Sequence, residues 1–303
     1  MKNKFSGKLI GVDIGGSHIT VAELSEGHSI KEDTLIRKKV DSLGSAEVIL
    51  STWGLVLKDV IGSTNPYNVK IGIAMPGPFD YANGISYIKG LNKYDAIYGL
   101  NIKALLSSYL SVPQSNILFR NDAEAFLHGE VAALKIPSGV KVIGVTLGTG
   151  LGSATSLNGI TTDVFKAILP MKGGIAEDFI STRWFHRRYA ELCGKQLKNV
   201  EALLSEPDED LRNKLFSEFG SNLGMFLNRF SEEENTDVII IGGNIARCMD
   251  VFKGSLVEHL ENKGVTIFQS TLWEYAALIG AAYSFTDVES HLKGQHAFGG
   301  NNL

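Results

Sequence analysis

The chain has 303 residues, of which 44% are hydrophobic and 20% are charged, and its formal net charge is −4. This composition excludes fibrous and disordered chains, and the lack of a basic excess argues against nucleic acid or an anionic membrane as a partner. No apolar run reaches the roughly 18–20 residues that a bilayer requires, and Asp13 and two glycines interrupt the N-terminal apolar stretch, which excludes a signal peptide. The two cysteines, Cys193 and Cys248, are typical of a reducing cytoplasm.

In the first half of the chain, short apolar runs alternate with segments whose apolar residues have helical spacing. Glycines follow the first run, and Pro76-Gly77-Pro78 ends a later one. Ser45 stands where a helix N-cap is expected. The predicted strands cover 9–14, 19–24, 30–40, 69–75 and 116–120, and the predicted helices cover 45–61, 101–110 and 122–134.

The second half of the chain repeats this alternation, which predicts an α/β protein. Its first strand is again followed by glycines, and the tail 294–303 has little apolar content and is expected to be loose. The predicted strands cover 141–147, 153–157 and 238–241, and the predicted helices cover 176–192, 208–230, 245–260 and 273–285.

Two glycine hairpins resemble each other. Residues 10–24 and 143–157 align without gaps at an offset of 133 and share five identical positions. A duplication would give two similar lobes that each present a glycine hairpin toward a shared cleft, a natural place for a polyphosphate. The alternative is chance, because glycine turns between strands are common.

The glycine turns could hold phosphate through backbone N–H groups, although each could also be an ordinary hairpin turn. The familiar nucleotide motifs do not fit. No Walker A sequence or protein-kinase motif is present, and Ser153 takes the third glycine position of a dinucleotide fingerprint. The signal is therefore a phosphate site of another kind or a purely structural turn.

Three further features could carry chemistry. Asp13 lies inside an apolar strand, where it could hold Mg²⁺ through water or accept hydrogen bonds from its own turn. Asp122 could be a general base with Asn121 on substrate hydroxyls, or the pair could cap a helix. Gly242-Gly243 could pack against an adenosine or form a plain turn. The seven histidines have no metal-ligand spacing, and no G-x-S-x-G nucleophile elbow is present.

The order of the motifs along the chain is more specific than any one of them. They read GVDIGGS at 11–17, IGIAMPGP at 71–78, NDAEA at 121–125, GVTLGTGLG at 144–152, IIIGGNIA at 239–246 and EYAALIGAA at 274–282. This series resembles the ROK family of sugar kinases and repressors over nearly the whole chain. The resemblance implies a two-lobed actin/hexokinase-like (ribonuclease H-like) ATPase fold with a central interlobe cleft. It places a small lobe at 1–119, completed by a C-terminal helix 274–303, and a large lobe at 120–273.

The resemblance also implies roles for particular residues. Asp122 matches the catalytic base, Asn121 its sugar-binding neighbour and Gly77 the sugar-side loop. Asp13 would help to hold the Mg²⁺ of a bound Mg-ATP through water. The implied ATP-binding residues are Asp13, Gly15, Gly16 and Ser17 in the first phosphate loop, Gly148, Thr149 and Gly150 in the second, and Gly242 and Gly243 in the adenosine loop.

The chain departs from the family pattern after the second phosphate loop. The usual Glu-x-Gly-His motif and cysteine-rich zinc motif have no counterpart, because Gly159 and Glu177 are only 18 positions apart. Ile175 stands where the family's final motif has cysteine. Glu177 could still bind a sugar hydroxyl, or it could be an acid favoured in the first turn of a helix. No zinc site is expected.

The sequence thus predicts an ATP- and Mg²⁺-dependent kinase that phosphorylates a hexose or hexose derivative, at O6 by family analogy. Glucose, N-acetylhexosamines and β-glucosides are all compatible with the motifs. The alternatives are a sugar sensor with weak or no activity on the same scaffold, or another enzyme of this superfamily, such as an acyl-phosphate kinase or ATPase. The expected partners are sugar, ATP and a second copy of the chain, with no nucleic acid or membrane, and the expected location is the cytoplasm.

Overall fold

A computed structural model describes residues 7–285 except 26, 28, 237 and 263. The chain divides into two compact units. The first consists of the described parts of Met1–Gly129 and Tyr275–Leu303, and the second of those of Glu130–Glu274. The predicted loose tail 294–303, and residues 286–303 of the segment expected to complete the small lobe, lie outside the described residues.

The first unit contains a sheet with helices that pack against it. Its strands are β1 (Lys8–Ile14), β2 (His18–Leu24), β3 (Ile36–Lys39), β4 (Val69–Met75), β5 (Phe79–Asp80), β6 (Ile85–Ser86) and β7 (Ile117–Asn121). Its helices are α1 (Ala46–Ile61), α2 (Ile102–Leu110), α3 (Asp122–Ala133), which runs on into the second unit, and the C-terminal helix over 276–285.

The second unit has a similar composition. Its strands are β8 (Val142–Leu147), β9 (Leu151–Leu157), β10 (Ile160–Asp163), β11 (Pro170–Met171), β12 (Gly174–Ile175), β13 (Val238–Gly242) and β14 (Thr266–Gln269). Its helices are α4 (Thr182–Cys193), α5 (Glu209–Glu234) and α6 (Met249–Glu258). The predicted α/β class is confirmed. No helix in the described ranges has both the length and the apolar character needed to cross a membrane.

The two large sheets have the same topology. Their strand orders are β3-β2-β1-β4-β7 and β10-β9-β8-β13-β14. In each sheet the first three strands pair antiparallel and the last two join parallel. Five strands in the same order and directions support a duplicated fold far better than five identical residues do.

The two glycine hairpins differ by one residue at the turn. Ile14 pairs with Ile19 across the first turn, whereas Leu147 pairs with Leu151 across the second. The gapless offset of 133 therefore aligns the first strands of the hairpins and shifts the second strands by one position. The internal resemblance is real at the level of topology but needs a gap at the turn.

Side-chain caps explain why several helices begin where the sequence predicts. The side chains of Ser45, Asn101 and Asp208 accept hydrogen bonds from the backbone N–H three residues on, at the starts of α1, α2 and α5. These caps are local features, which is why sequence reasoning finds them.

Some predicted elements are wrong in extent. The predicted helix 176–192 is a short 3-10 turn, Ala176–Asp178, followed by α4, because the N–H of Thr182 donates to the Gly148 carbonyl. The predicted helix 245–260 likewise begins as a 3-10 turn, Asn244–Cys248. In the predicted strand 30–40, only Ile36–Lys39 joins the sheet as a strand.

Glycine allows α3 and the C-terminal helix to pack backbone against backbone. A Cβ at Gly280 would lie 1.8 Å from the Ala125 carbonyl oxygen, and one at Gly129 would lie 2.3 Å from that of Ala276. Neither helix could move this close with a side chain at these positions. This contact gives a structural reason for the glycine in the 274–282 motif.

Candidate active site

The first glycine turn is anchored by hydrogen bonds at Gly15, and its tip is exposed. The N–H of Gly15 donates to the His18 carbonyl at 2.9 Å, and the Tyr94 hydroxyl donates to the Gly15 carbonyl at 2.6 Å. Tyr94 is fully buried, whereas Gly16 and Ser17 are exposed. The turn is therefore an anchored loop whose tip remains free to meet a ligand.

Asp13 lies one residue before the end of β1, between Thr20 on β2 and Ala74 on β4. Burial and, to a smaller extent, the charge of Asp122 raise its pKa, the charge of Arg37 lowers it, and the resulting pKa is about 7. Its carboxylate accepts no hydrogen bond from any residue that the structure describes. A partly buried carboxylate without a partner is suited to hold a cation through water.

Asn121 ends β7 and caps α3. Its Oδ1 accepts hydrogen bonds from the N–H groups of Ala123 at 2.8 Å and Glu124 at 3.1 Å, which confirms the capping interpretation. Its Nδ2 donates to the Tyr81 hydroxyl at 3.2 Å. Both ends of the Asn121 side-chain amide therefore already have hydrogen-bond partners within the protein. Its sugar-binding role stays a prediction.

Asp122 is the first residue of α3 and is exposed. Its Oδ1 accepts the N–H of Ala123 at 2.9 Å. Loss of hydration among the surrounding protein atoms raises the pKa of Asp122, while the Ala123 N–H and the charge of Lys93 lower it. A carboxylate with a raised pKa, close enough to Asp13 for the two charges to interact, has the properties of a general base.

Gly77 lies in the loop after β4 and faces the same tyrosine as Asn121. The position of a Cβ on Gly77 would be 3.2 Å from the Tyr81 hydroxyl, which in turn donates to the Met75 carbonyl at 3.1 Å. Tyr81 thus links the Gly77 loop, the end of β4 and the start of α3 within the first unit.

The second glycine turn belongs to the second unit and is supported by a carboxylate. Glu177 Oε2 accepts the N–H of Leu151 at 2.9 Å, and Oε1 pairs with Arg183. A Cβ on Gly150 would lie 2.5 Å from Glu177 Oε2, so the loop closes tightly over this side chain. Thr182 secures the other end by donating its hydroxyl to the Gly148 carbonyl at 2.9 Å. Both carboxylate oxygens of Glu177 thus have protein partners, and a sugar-binding role stays a prediction.

The Gly242-Gly243 turn ends β13. Gly242 pairs with Thr146, and Gly243 has a φ of +86°. A Cβ on Gly243 would lie 2.4 Å from the Leu147 carbonyl oxygen. Glycine is therefore required here by contact with β8, whether or not an adenosine binds to the turn as well.

Several residues that build these sites belong to no predicted motif. Tyr81 and Tyr94 each anchor a loop, Lys93 lies over the first turn, and Arg183 pairs with Glu177. Tyr81 and Tyr94 reach partners 40 and 79 positions away, whereas Arg183 is only six positions from Glu177. The glycine motifs could locate the loops, but no local signal could identify the side chains that hold them.

Among the described residues, no group of three or more His, Cys, Asp or Glu side chains is placed to form a metal cage. Mg²⁺ does not need one, because it commonly binds one or two carboxylates together with waters and phosphate oxygens. Asp13 fits this pattern of coordination.

Comparison with known proteins decides the family. The sequence model of the ROK family matches residues 9–163, which is about half of the chain and includes β1, α3 and the second glycine turn. The chain belongs to the ROK family. Membership accounts for the order of the glycine motifs and of the NDAEA segment along the sequence.

The ROK relatives include a sugar kinase with a curated function. The glucokinase of Thermotoga maritima is 24% identical, and the match covers 91% of this chain and 96% of that protein. The crystal structure of a ROK hexokinase from Thermus thermophilus has a TM-score of 0.75 at 17% identity and covers 93% of this chain and 99% of that one.

A second ROK structure contains ligands. The ROK family glucokinase from Streptomyces griseus, in complex with glucose and AMPPNP, has a TM-score of 0.72 at 20% identity and covers 91% of this chain and 98% of that one. These matches confirm the predicted actin/hexokinase-like fold of the ROK sugar kinases.

Asp13 should make the stability of the protein depend on pH. Because the folded pKa is about 7 and the ordinary value is 3.8, the folded protein binds the extra proton between these values. Stability should therefore fall as the pH rises from about 4 to about 7 and then level off. Asp13→Asn removes this loss, so in Mg²⁺-free buffer the variant should become more stable than the wild type as the pH rises. Thermal unfolding across this range measures the effect, with the exposed Asp59→Asn as control. Parallel curves for the wild type and Asp13→Asn would contradict it.

Glu177→Gln should act on nucleotide binding through the second glycine turn. The change removes the ion pair with Arg183 and leaves one acceptor oxygen where the carboxylate offered two, to the Leu151 N–H and to Arg183, which loosens the loop. We expect the KM for ATP to rise about tenfold, the effect of about 1.4 kcal/mol, with little change in the KM for sugar. Steady-state kinetics with Glu191→Gln as control provide the measurement. A rise confined to the sugar KM would instead support the sugar-binding role.

Proposed function

We propose that the protein is an ATP-dependent sugar kinase that transfers the γ-phosphoryl group of ATP to a hydroxyl of a hexose or hexose derivative, at O6. The observation that carries this proposal is the position of Asp122, whose pKa is raised, close enough to Asp13 for the two charges to interact beside the open first glycine turn. The glucokinase of Thermotoga maritima and the ROK glucokinase structure with glucose and AMPPNP support it.

Asp122 acts as the general base. Its carboxylate accepts the proton of the attacking hydroxyl while the sugar oxygen bonds to the γ-phosphorus and the bond from phosphorus to the β–γ bridging oxygen breaks. The products are a sugar phosphate, ADP and a proton that Asp122 later releases to water. A raised pKa makes the carboxylate a better proton acceptor near neutral pH than an ordinary aspartate.

The remaining site residues bind and orient the reactants. The turns at Gly15–Ser17 and Gly148–Gly150 hold phosphates through backbone N–H groups, and Gly242 and Gly243 pack against adenosine. Asn121 and Gly77 bind the sugar, while Glu177 supports the second turn. Asp13 helps to hold Mg²⁺ through water. When bound, the metal supplies positive charge that offsets the charge developing on the phosphate oxygens.

A sugar-binding protein with little or no turnover is the second candidate. The observation that favours it is the engagement of both Glu177 oxygens by protein partners, together with the missing Glu-x-Gly-His segment. Such a protein would bind a sugar on the same scaffold without consuming ATP. The cytoplasmic location and the homodimer stay predictions of the sequence.

Coupled measurement of ADP release tests the proposal. The wild type is mixed with Mg-ATP and a panel of hexoses, N-acetylhexosamines and β-glucosides, and thermal-shift binding of each sugar is recorded in parallel. ADP release that depends on one class of sugar supports the kinase and names its substrate class. Sugar binding without ADP release supports the second candidate, and ADP release independent of any sugar would contradict both and indicate an ATPase.

A further inference from the structure

A buried tyrosine holds the segment before α2 against the first glycine turn. Tyr94 donates its hydroxyl to the Gly15 carbonyl at 2.6 Å, and its backbone N–H donates to the Ser42 carbonyl at 2.7 Å. Its ring packs edge-on against Trp53 at 5.4 Å. The backbone is left-handed at Asn92 and Tyr94, with φ of +55° and +60°, so the chain makes a fixed bend around Lys93.

This bend directs Lys93 over the turn. The Cδ atom of Lys93 lies 3.7 Å from the position that a Cβ would take on Gly16. The charge of Lys93 is also close enough to act on Asp122. Lys93 therefore lies near both the exposed tip of the phosphate turn and the carboxylate of the base, and all of these residues belong to the first unit.

The ammonium group of Lys93 has no hydrogen bond or salt bridge to any residue in the described ranges. Its neighbours along the chain differ. Lys89 lies over the Tyr98 ring at 5.0 Å, and Lys103 donates to the Ala82 carbonyl at 2.7 Å. A half-buried lysine without a protein partner, at the edge of a turn suited to phosphate, is complementary to an anionic ligand group.

We propose that Lys93 is a catalytic residue that binds the γ-phosphoryl group of the nucleotide and neutralises its charge during transfer to the hydroxyl held by Asp122. This inference rests on the proposed function and adds a residue outside the motifs of the family. Tyr94 acts as its positioning residue, because its hydroxyl ties the bend that carries Lys93 to the glycine turn that holds the phosphates. A cation aimed at the transferred group stabilises the charge that spreads over its oxygens.

The test compares Lys93→Gln and Lys93→Arg with Lys89→Gln as the matched control. Steady-state kinetics give kcat and KM with the accepted sugar, and calorimetry gives the affinities for ADP and for a non-hydrolysable ATP analogue. We expect Lys93→Gln to lower kcat about a hundredfold. It should also lower the affinity for the ATP analogue about tenfold, because a charge-assisted contact to the γ-phosphate is lost. The affinity for ADP, which has no γ-phosphate, should change less than about twofold. Lys93→Arg should recover part of both losses, since it keeps the charge.

Several results would overturn the inference. One is a Lys93→Gln variant that matches Lys89→Gln in kcat and in its preference for the analogue over ADP. An equal loss of affinity for ADP and for the ATP analogue, together with a lower unfolding temperature, would assign Lys93 a structural role instead. If the wild type transfers no phosphate to sugar, the proposed function fails, and calorimetry still decides the role of Lys93 through the loss or retention of that preference. A wild type that binds neither nucleotide overturns both.

Discussion

Asp122→Asn is expected to lower kcat for sugar phosphorylation by about a thousandfold, within the range that removal of a general base produces. The asparagine keeps the size of the side chain and an oxygen that can accept the Ala123 N–H, so the start of α3 should persist. It cannot accept the proton of the attacking hydroxyl. Sugar affinity and the unfolding temperature should therefore remain close to those of the wild type, and kinetics, calorimetry and thermal unfolding measure the three quantities.

The control for this variant is Asp59→Asn, which removes an exposed carboxylate from α1. It should leave kcat unchanged. If Asp122→Asn kept more than about a tenth of the wild-type kcat, Asp122 would not be the base. If it lost activity and stability together, loss of the contact with the Ala123 N–H at the start of α3, and not the chemistry, would explain the defect.

Glu130→Ala is expected to give a large loss of stability. Glu130 is fully buried, and its carboxylate accepts the N–H groups of Thr271 and Leu272 and the hydroxyls of Ser270 and Thr271. Alanine leaves all four donors without this acceptor. The free energy of unfolding should fall by about 3 kcal/mol, since each unsatisfied buried donor costs about 1–3 kcal/mol and Thr271 can partly return to water. Thermal and denaturant unfolding measure the loss.

Glu232→Ala is the matched control, because Glu232 is an exposed glutamate of the same unit. It should change the free energy of unfolding by less than about 0.5 kcal/mol. Glu130→Gln retains one acceptor oxygen, so its free energy of unfolding should lie between those of Glu130→Ala and the wild type. Equal stabilities of Glu130→Ala and Glu232→Ala would show that the 270–272 segment does not depend on Glu130.

The elements that sequence could predict are those governed by local patterns. The apolar run of β1 and the Ser45 cap of α1 lie where they were expected, because burial and capping act over a few residues. The break before α4 and the strand β14 could not be predicted in this way. The break depends on a hydrogen bond from Thr182 to Gly148, and β14 forms because its backbone pairs with β13.

In the candidate site too, some features follow from local sequence and others from contacts between distant residues. The glycine turns and the Asn121 cap are visible in the sequence because glycine and asparagine have backbone roles of their own. The support that Tyr94 gives to the first turn is not visible, since it joins residues 79 positions apart. Glu177 shows the limit most clearly. Its position was expected from a motif, but its partners Leu151 and Arg183 emerge only from the folded second unit.

Phosphorus NMR of the protein with Mg-ATP and each sugar of the panel shows directly where the γ-phosphoryl group goes. We expect the γ-phosphate resonance of ATP to be replaced by the resonance of a phosphate monoester on the primary hydroxyl of one sugar, in equal amount to the ADP formed. Asp122→Asn should not form this product. Resonances of ADP and inorganic phosphate without that of a sugar phosphate, or an unchanged ATP spectrum with every sugar, would contradict the assignment as a sugar kinase.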